Sequence, residues 1–99
     1  MAGFVQIIQY TTSRIDEVEA LGREMAAQRG PDSGARGLAT ADRDHPNQYL
    51  VIMEFESYEA AMENSNRPET AEFASKMAKL CDGPPTFYNL DVMYALPPE

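Results

Sequence analysis

Tyr49-Leu50-Val51-Ile52-Met53-Glu54-Phe55 places Tyr, Val, Met and Phe at odd positions and Leu, Ile and Glu at even ones. Successive side chains of a strand point to opposite faces. As a strand, this run carries large apolar groups on both faces, where a half-solvated strand would alternate apolar with polar. Helices of the same chain can cover one face. The other requires a partner or a ligand, and assembly and site both follow from that requirement.

The remaining residues supply one layer of cover. A chain of 99 residues makes a single domain over 1–99, and at this size two layers are favoured over three. Phe4 to Thr11 (Phe-Val-Gln-Ile-Ile-Gln-Tyr-Thr) reads as a first strand, paired centrally with 49–55. Ser13 is placed to cap a helix, with Asp16 three residues on, and Ile15, Val18, Leu21 and Met25 repeat at helical spacing until Gly30-Pro31. Residues 35–43 form a weaker strand, turned back by Asp44-His45-Pro46-Asn47. If Asp44 and Asn47 close that turn, Arg43 faces Gln48, and Asp42, Thr40, Leu38 and Arg36 oppose Tyr49, Val51, Met53 and Phe55. Ala41, Ala39 and Gly37 then oppose Leu50, Ile52 and Glu54, and their small size either admits a close helix, the favoured reading, or leaves a cavity. Ser57 caps a helix that breaks at Asn64-Ser65-Asn66-Arg67-Pro68, with Pro68 opening a second piece striped by Phe73, Met77, Leu80 and Cys81. Thr86 to Leu96 is the last strand. With right-handed crossovers, this order gives an α+β, ferredoxin-like βαββαβ fold with a four-stranded antiparallel sheet and a second helix broken near Pro68.

Sixteen acids against 8 bases give a formal charge of −8. Such a surface repels a nucleic-acid backbone and an anionic membrane. No run approaches the roughly 18 apolar residues of a membrane span. The lone Cys81 excludes a disulfide framework, and a cytoplasmic location is expected.

The run from Tyr49 to Ala61, followed by Asn64 and the Pro68 break, resembles the antibiotic-biosynthesis-monooxygenase-like group of the dimeric α+β barrel superfamily. The resemblance implies two chains packed sheet against sheet, with the C-terminal strand reaching the partner. It also implies a cavity for a small organic ligand, between sheet and helices or inside the barrel. Among activities it implies a cofactor-independent monooxygenase or isomerase acting on a small aromatic or polyketide-like molecule. Asn64 stands where the group often has histidine, and the chain has no tryptophan, which argues against haem. The alternative is a non-catalytic dimeric ligand-binding or stress-response module.

Two residues are candidates for catalysis. Glu54 is a carboxylate in an apolar strand, suited to act as a general base or to hold a ligand hydroxyl, unless Arg36 pairs with it. Asn64, at the helix break, presents an amide to a carbonyl or phenolate oxygen, or else satisfies backbone groups there. Tyr10, Tyr49 and Tyr88 supply phenols to line a pocket, and Arg36 a cation for the ligand or a second chain. His45, the only histidine, lies in a turn and cannot build a metal site alone; Cys81 reads as packing. No metal or cofactor is expected. The two-faced strand predicts a homodimer: sedimentation at micromolar concentration should show twice the chain mass, and a monomer there would refute the argument.

Overall fold

The computed structural model describes residues 3–29 and 36–97. Strand β1 (Phe4–Thr11), helix α1 (Ile15–Arg29), strands β2 (Arg36–Ala41) and β3 (Gln48–Phe55), helices α2 (Tyr58–Ser65) and α3 (Pro68–Leu80), and strand β4 (Thr86–Asp91) follow in order. The four strands form one antiparallel sheet in the order β2-β3-β1-β4, the ferredoxin-like arrangement, with β1 and β3 central. The helix break falls where expected. The Ser57 hydroxyl accepts from the Ala60 amide at 3.1 Å, and Pro68 occupies the first turn of α3.

Register runs from Phe4 opposite Phe55 to Thr11 opposite Gln48. Alternation then puts Phe4, Gln6, Ile8 and Tyr10 on one face with Phe55, Met53, Val51 and Tyr49. This face meets the helices. Phe4 and Phe55 are buried with Ala61 of α2, flanked by Met53, Ala60 and Met62, and Tyr58 meets Phe4 edge to face at 5.5 Å. At the other end Thr12 is fully buried. Its hydroxyl donates to the Leu80 carbonyl at 2.6 Å and accepts from the Arg14 amide at 3.0 Å, fastening the end of α3 to the β1–α1 junction. The opposite face is open: Leu38, Tyr88 and Leu90 expose 66%, 44% and 43% of their surface.

The hairpin differs from the sequence expectation by one residue. Ala41 opposes Tyr49, Ala39 opposes Val51, Gly37 opposes Met53 and Arg36 opposes Glu54. The turn explains the slip. The Asp42 amide donates to the Gln48 carbonyl at 2.9 Å, the Asp42 carboxylate accepts from the Asp44 amide at 2.9 Å, and Asn47 takes a left-handed φ of 65°. Asparagine tolerates that conformation, and Asp42 thereby becomes the closing residue in place of Arg43. A slip of one residue turns every side chain over. Gly37, Ala39 and Ala41 do face the helix side, but beside Met53, Val51 and Tyr49. A Cβ on Gly37 would lie 2.6 Å from the Met53 sulfur, so the glycine makes room for that side chain.

Two boundaries also move. The Arg14 carbonyl accepts from Glu17 and Val18, so α1 starts from Arg14 and not from a Ser13 cap. The last ladder ends at Asp91, short of Leu96. The Gly30-Pro31 stop lies outside the described residues.

The Asp44 amide, then His45 at 3.0 Å, hold the Asp42 carboxyl below its usual range against some desolvation. Its folded pKa lies below the unfolded one, so its stabilising effect is full above the unfolded value and fades as pH falls through the folded one. The urea midpoint of Asp42→Asn should therefore trail the wild type at pH 6, with the gap closing below about pH 4. A gap unchanged in acid would show that the carboxylate does not set the turn.

Candidate functional site

The sheet sorts the candidate residues into two groups. On the helix side, Tyr10 and Tyr49 are Cα partners, and their rings stack at 5.7 Å with 26° between planes. Tyr10 is buried. Burial pushes its phenol above the ordinary range, helped by Cys81, Tyr49 and Glu19 nearby, so Tyr10 is a protonated donor at neutral pH. Cys81 is half-buried, and desolvation, with Asp82 beside it, raises its thiol. A protonated thiol packs; it does not attack. Asn64 belongs to the last full turn of α2, which packs on this side through Ala61. Its carbonyl accepts from Arg67 at 3.3 Å, so its backbone links α2 to α3.

On the open side, Arg36 and Glu54 stand directly opposite each other in the ladder, and both are exposed in the single chain. The Tyr88 hydroxyl donates to Gln9 Oε1 at 3.2 Å. Glu54 and Asn64 therefore do not share a side: the sheet stands between the carboxylate and the helix carrying the amide.

Two polar features were not singled out from sequence as site residues. Thr12 anchors α3 from inside the protein, and its identity in a Tyr-Thr-Thr-Ser run gave no signal. Gln6 Nε2 donates to Asn89 Oδ1 at 3.0 Å across β1 and β4. The available signal was Gln6 as an amide on an otherwise apolar face of β1. An open groove of about 540 Å³ runs between α1 and α3, lined by Arg14, Glu17, Leu21, Lys76, Lys79 and Leu80 among others. It includes none of the candidate catalytic or ligand-binding residues. No helix among the described residues is long and apolar enough to cross a membrane.

No protein-family model matches the chain. No curated protein matches its sequence. Among solved structures, the chain is similar to an asparagine-to-alanine variant of SnoaB, a cofactor-independent oxygenase from Streptomyces nogalater. The identity is 18%, the TM-score 0.83, and the match covers 98% of this chain and 99% of that one. A second SnoaB structure matches at 20% identity and TM-score 0.80, again over 98% and 99% of the two chains. A candidate antibiotic biosynthesis monooxygenase from Deinococcus radiodurans matches at 12% identity and TM-score 0.79, over 93% and 94%. At these identities the likeness is one of fold: the chain carries the ferredoxin-like fold of the antibiotic-biosynthesis-monooxygenase-like proteins.

Of the five tyrosines, Tyr10 should ionise at high pH after the exposed ones. Phenolate absorbance in Tyr10→Phe should lack the latest step of the wild-type titration. Loss of an early step would place Tyr10 in water.

Proposed function

We propose that the protein is a cofactor-independent enzyme of the monooxygenase or isomerase type, cytoplasmic, and acting on a small aromatic or polyketide-like molecule. The observation carrying this reading is the match to a cofactor-independent oxygenase over nearly the whole of both chains. On the helix side, a phenol kept protonated beside a stacked second ring suits an aromatic ligand.

The working form in this proposal is a homodimer packed sheet against sheet. The open face presents Val5, Ile7, Leu38, Leu50, Ile52, Tyr88 and Leu90, and its described strand residues include only Arg36 and Glu54 as charges. On a chain of net charge −8, this face allows two copies to meet without repulsion. Met93, Tyr94 and Leu96, exposed beyond β4, extend the apolar surface toward a second copy.

Converting a ring CH₂ to C=O takes one oxygen atom of O₂ and releases the other as water with the two hydrogens, so it balances without an external reductant. The substrate supplies the electrons, and the protein supplies orientation and stabilises charge as a proton leaves. Asn64 is assigned to polarise a carbonyl or phenolate oxygen, with Tyr10 and Tyr49 against the ring. One of the similar solved structures is an asparagine-to-alanine variant of SnoaB. Glu54, Arg36 and Tyr88 address the space between paired sheets.

The separation of Glu54 from Asn64 favours a second reading, the non-catalytic dimeric ligand-binding or stress-response module. Oxygen uptake with polyhydroxylated naphthalenes and anthracenes separates the two. Asn64→Ala should lower kcat about a hundredfold, while Glu54→Gln should stay within about twofold. The reverse pattern would move the chemistry to the sheet interface, and absence of wild-type turnover across the panel would favour the module.

A further inference from the structure

The groove between α1 and α3 takes no part in the chemistry proposed above. Thr12, just ahead of α1, holds the Leu80 carbonyl at the end of α3, so the start of α1 lies beside the end of α3. Farther along, Leu21, Glu24 and Met25 of α1 meet Glu69, Glu72 and Phe73 of α3, and the two helices run antiparallel. At the Thr12 end the groove holds about 540 Å³, within the roughly 300–1,000 Å³ of small-molecule sites. Toward Met25 it narrows to a dimple of about 30 Å³, room for little more than water.

The charge of the groove is opposite to that of the chain. Three of the eight basic residues, Arg14, Lys76 and Lys79, line it against two of the sixteen acids, Glu17 and Glu24. Lys76 and Lys79 stand three apart on α3 and so share a side of the helix. Arg14 pairs with Glu17, and Lys76 with Glu72 at 3.2 Å, whereas Lys79 enters no ion pair among the described residues. The apolar lining is Ala20, which is exposed, and the half-buried Leu21 and Leu80. The seam is therefore graded along its length. Arg14 and Lys79 stand at the wide end, and Glu24, Glu69 and Glu72 at the narrow one.

We infer that the α1–α3 groove binds a small amphiphilic monoanion, a carboxylate on an unbranched hydrocarbon chain. Lys79, Arg14 and Lys76 receive the carboxylate at the wide end, and the chain lies on Ala20, Leu21 and Leu80 with its tip toward Glu24. Glu17 and Glu24 are seven residues apart, about 10 Å of helix, a length that an eight-carbon chain spans. A groove closed within two helical turns suits a small molecule and is too short to seat a partner helix. A neutral head group gains nothing from the three bases. A second carboxylate at the far end of the chain meets Glu24 and Glu72, where like charges repel.

The test is calorimetric titration of the full chain with octanoate, 1-octanol and octanedioate, alongside thermal melting and sedimentation. Octanoate should bind about fivefold more tightly than either of the others. The double variant Arg14→Gln, Lys79→Gln should bring octanoate to within about twofold of octanol, and Glu24→Gln should strengthen octanedioate alone, by about threefold. Ala20→Glu, at an exposed helical position, should abolish octanoate binding with Tm unchanged. Equal affinity for octanoate and octanol, or no saturable binding at millimolar ligand, overturns the inference. Octanoate binding that survives Ala20→Glu, or a preference that survives loss of both bases, overturns it by placing the ligand elsewhere. A change in sedimenting mass on Ala20→Glu also overturns it, since the groove would then belong to a contact with a second copy.

Discussion

β1 lies against β3 along eight paired positions at the centre of the sheet, and both strands carry apolar side chains front and back. A sheet with two such faces needs two layers of cover. The chain's helices supply one. Phe4 and Phe55 close the core against Ala61 at one end, and Thr12 holds the end of α3 at the other. Among the described residues the second face has no equivalent cover, and large apolar side chains stand exposed there. The proposed dimer is a consequence of this imbalance.

The hairpin determines what that second face displays. With Asp42 closing the turn and Asn47 in a left-handed conformation, Arg36, Leu38 and Thr40 share the open side with Leu50, Ile52 and Glu54. The small residues of β2 turn inward, where Gly37 leaves space for Met53. A turn closed one residue later would have put Arg36 among the helices, without water. It would also have left alanines and glycine outside, where they bury little apolar area.

The same alternation divides the chemistry. Tyr10 and Tyr49 stack on the helix side of the sheet, and burial there raises the Tyr10 phenol. Glu54, one residue from the buried Phe55, points into the open. The helix side is apolar, with a few placed amides and hydroxyls, the usual composition of a small-molecule site. The open side suits association, where one acid and one base per copy can answer each other.

By itself, the sequence determined the elements, their order and their breaks, because these depend on local patterns. The apolar run at 49–55, the helical spacing of Val18 and Leu21, the Ser57 cap and the Pro68 start are each written within a few neighbouring residues. The candidate tyrosines were legible in the same way, as phenols on strands. Tertiary structure decided the rest, because it depends on residues distant in sequence or on one backbone torsion. Register hung on the conformation of Asn47 and the reach of the Asp42 side chain. The solvation of Glu54 depended on which face the helices chose. Gln6 meets Asn89 across 83 positions, and Thr12 meets Leu80 across 68. No local pattern encodes such pairs; only the closing of β4 and α3 onto β1 brings them together.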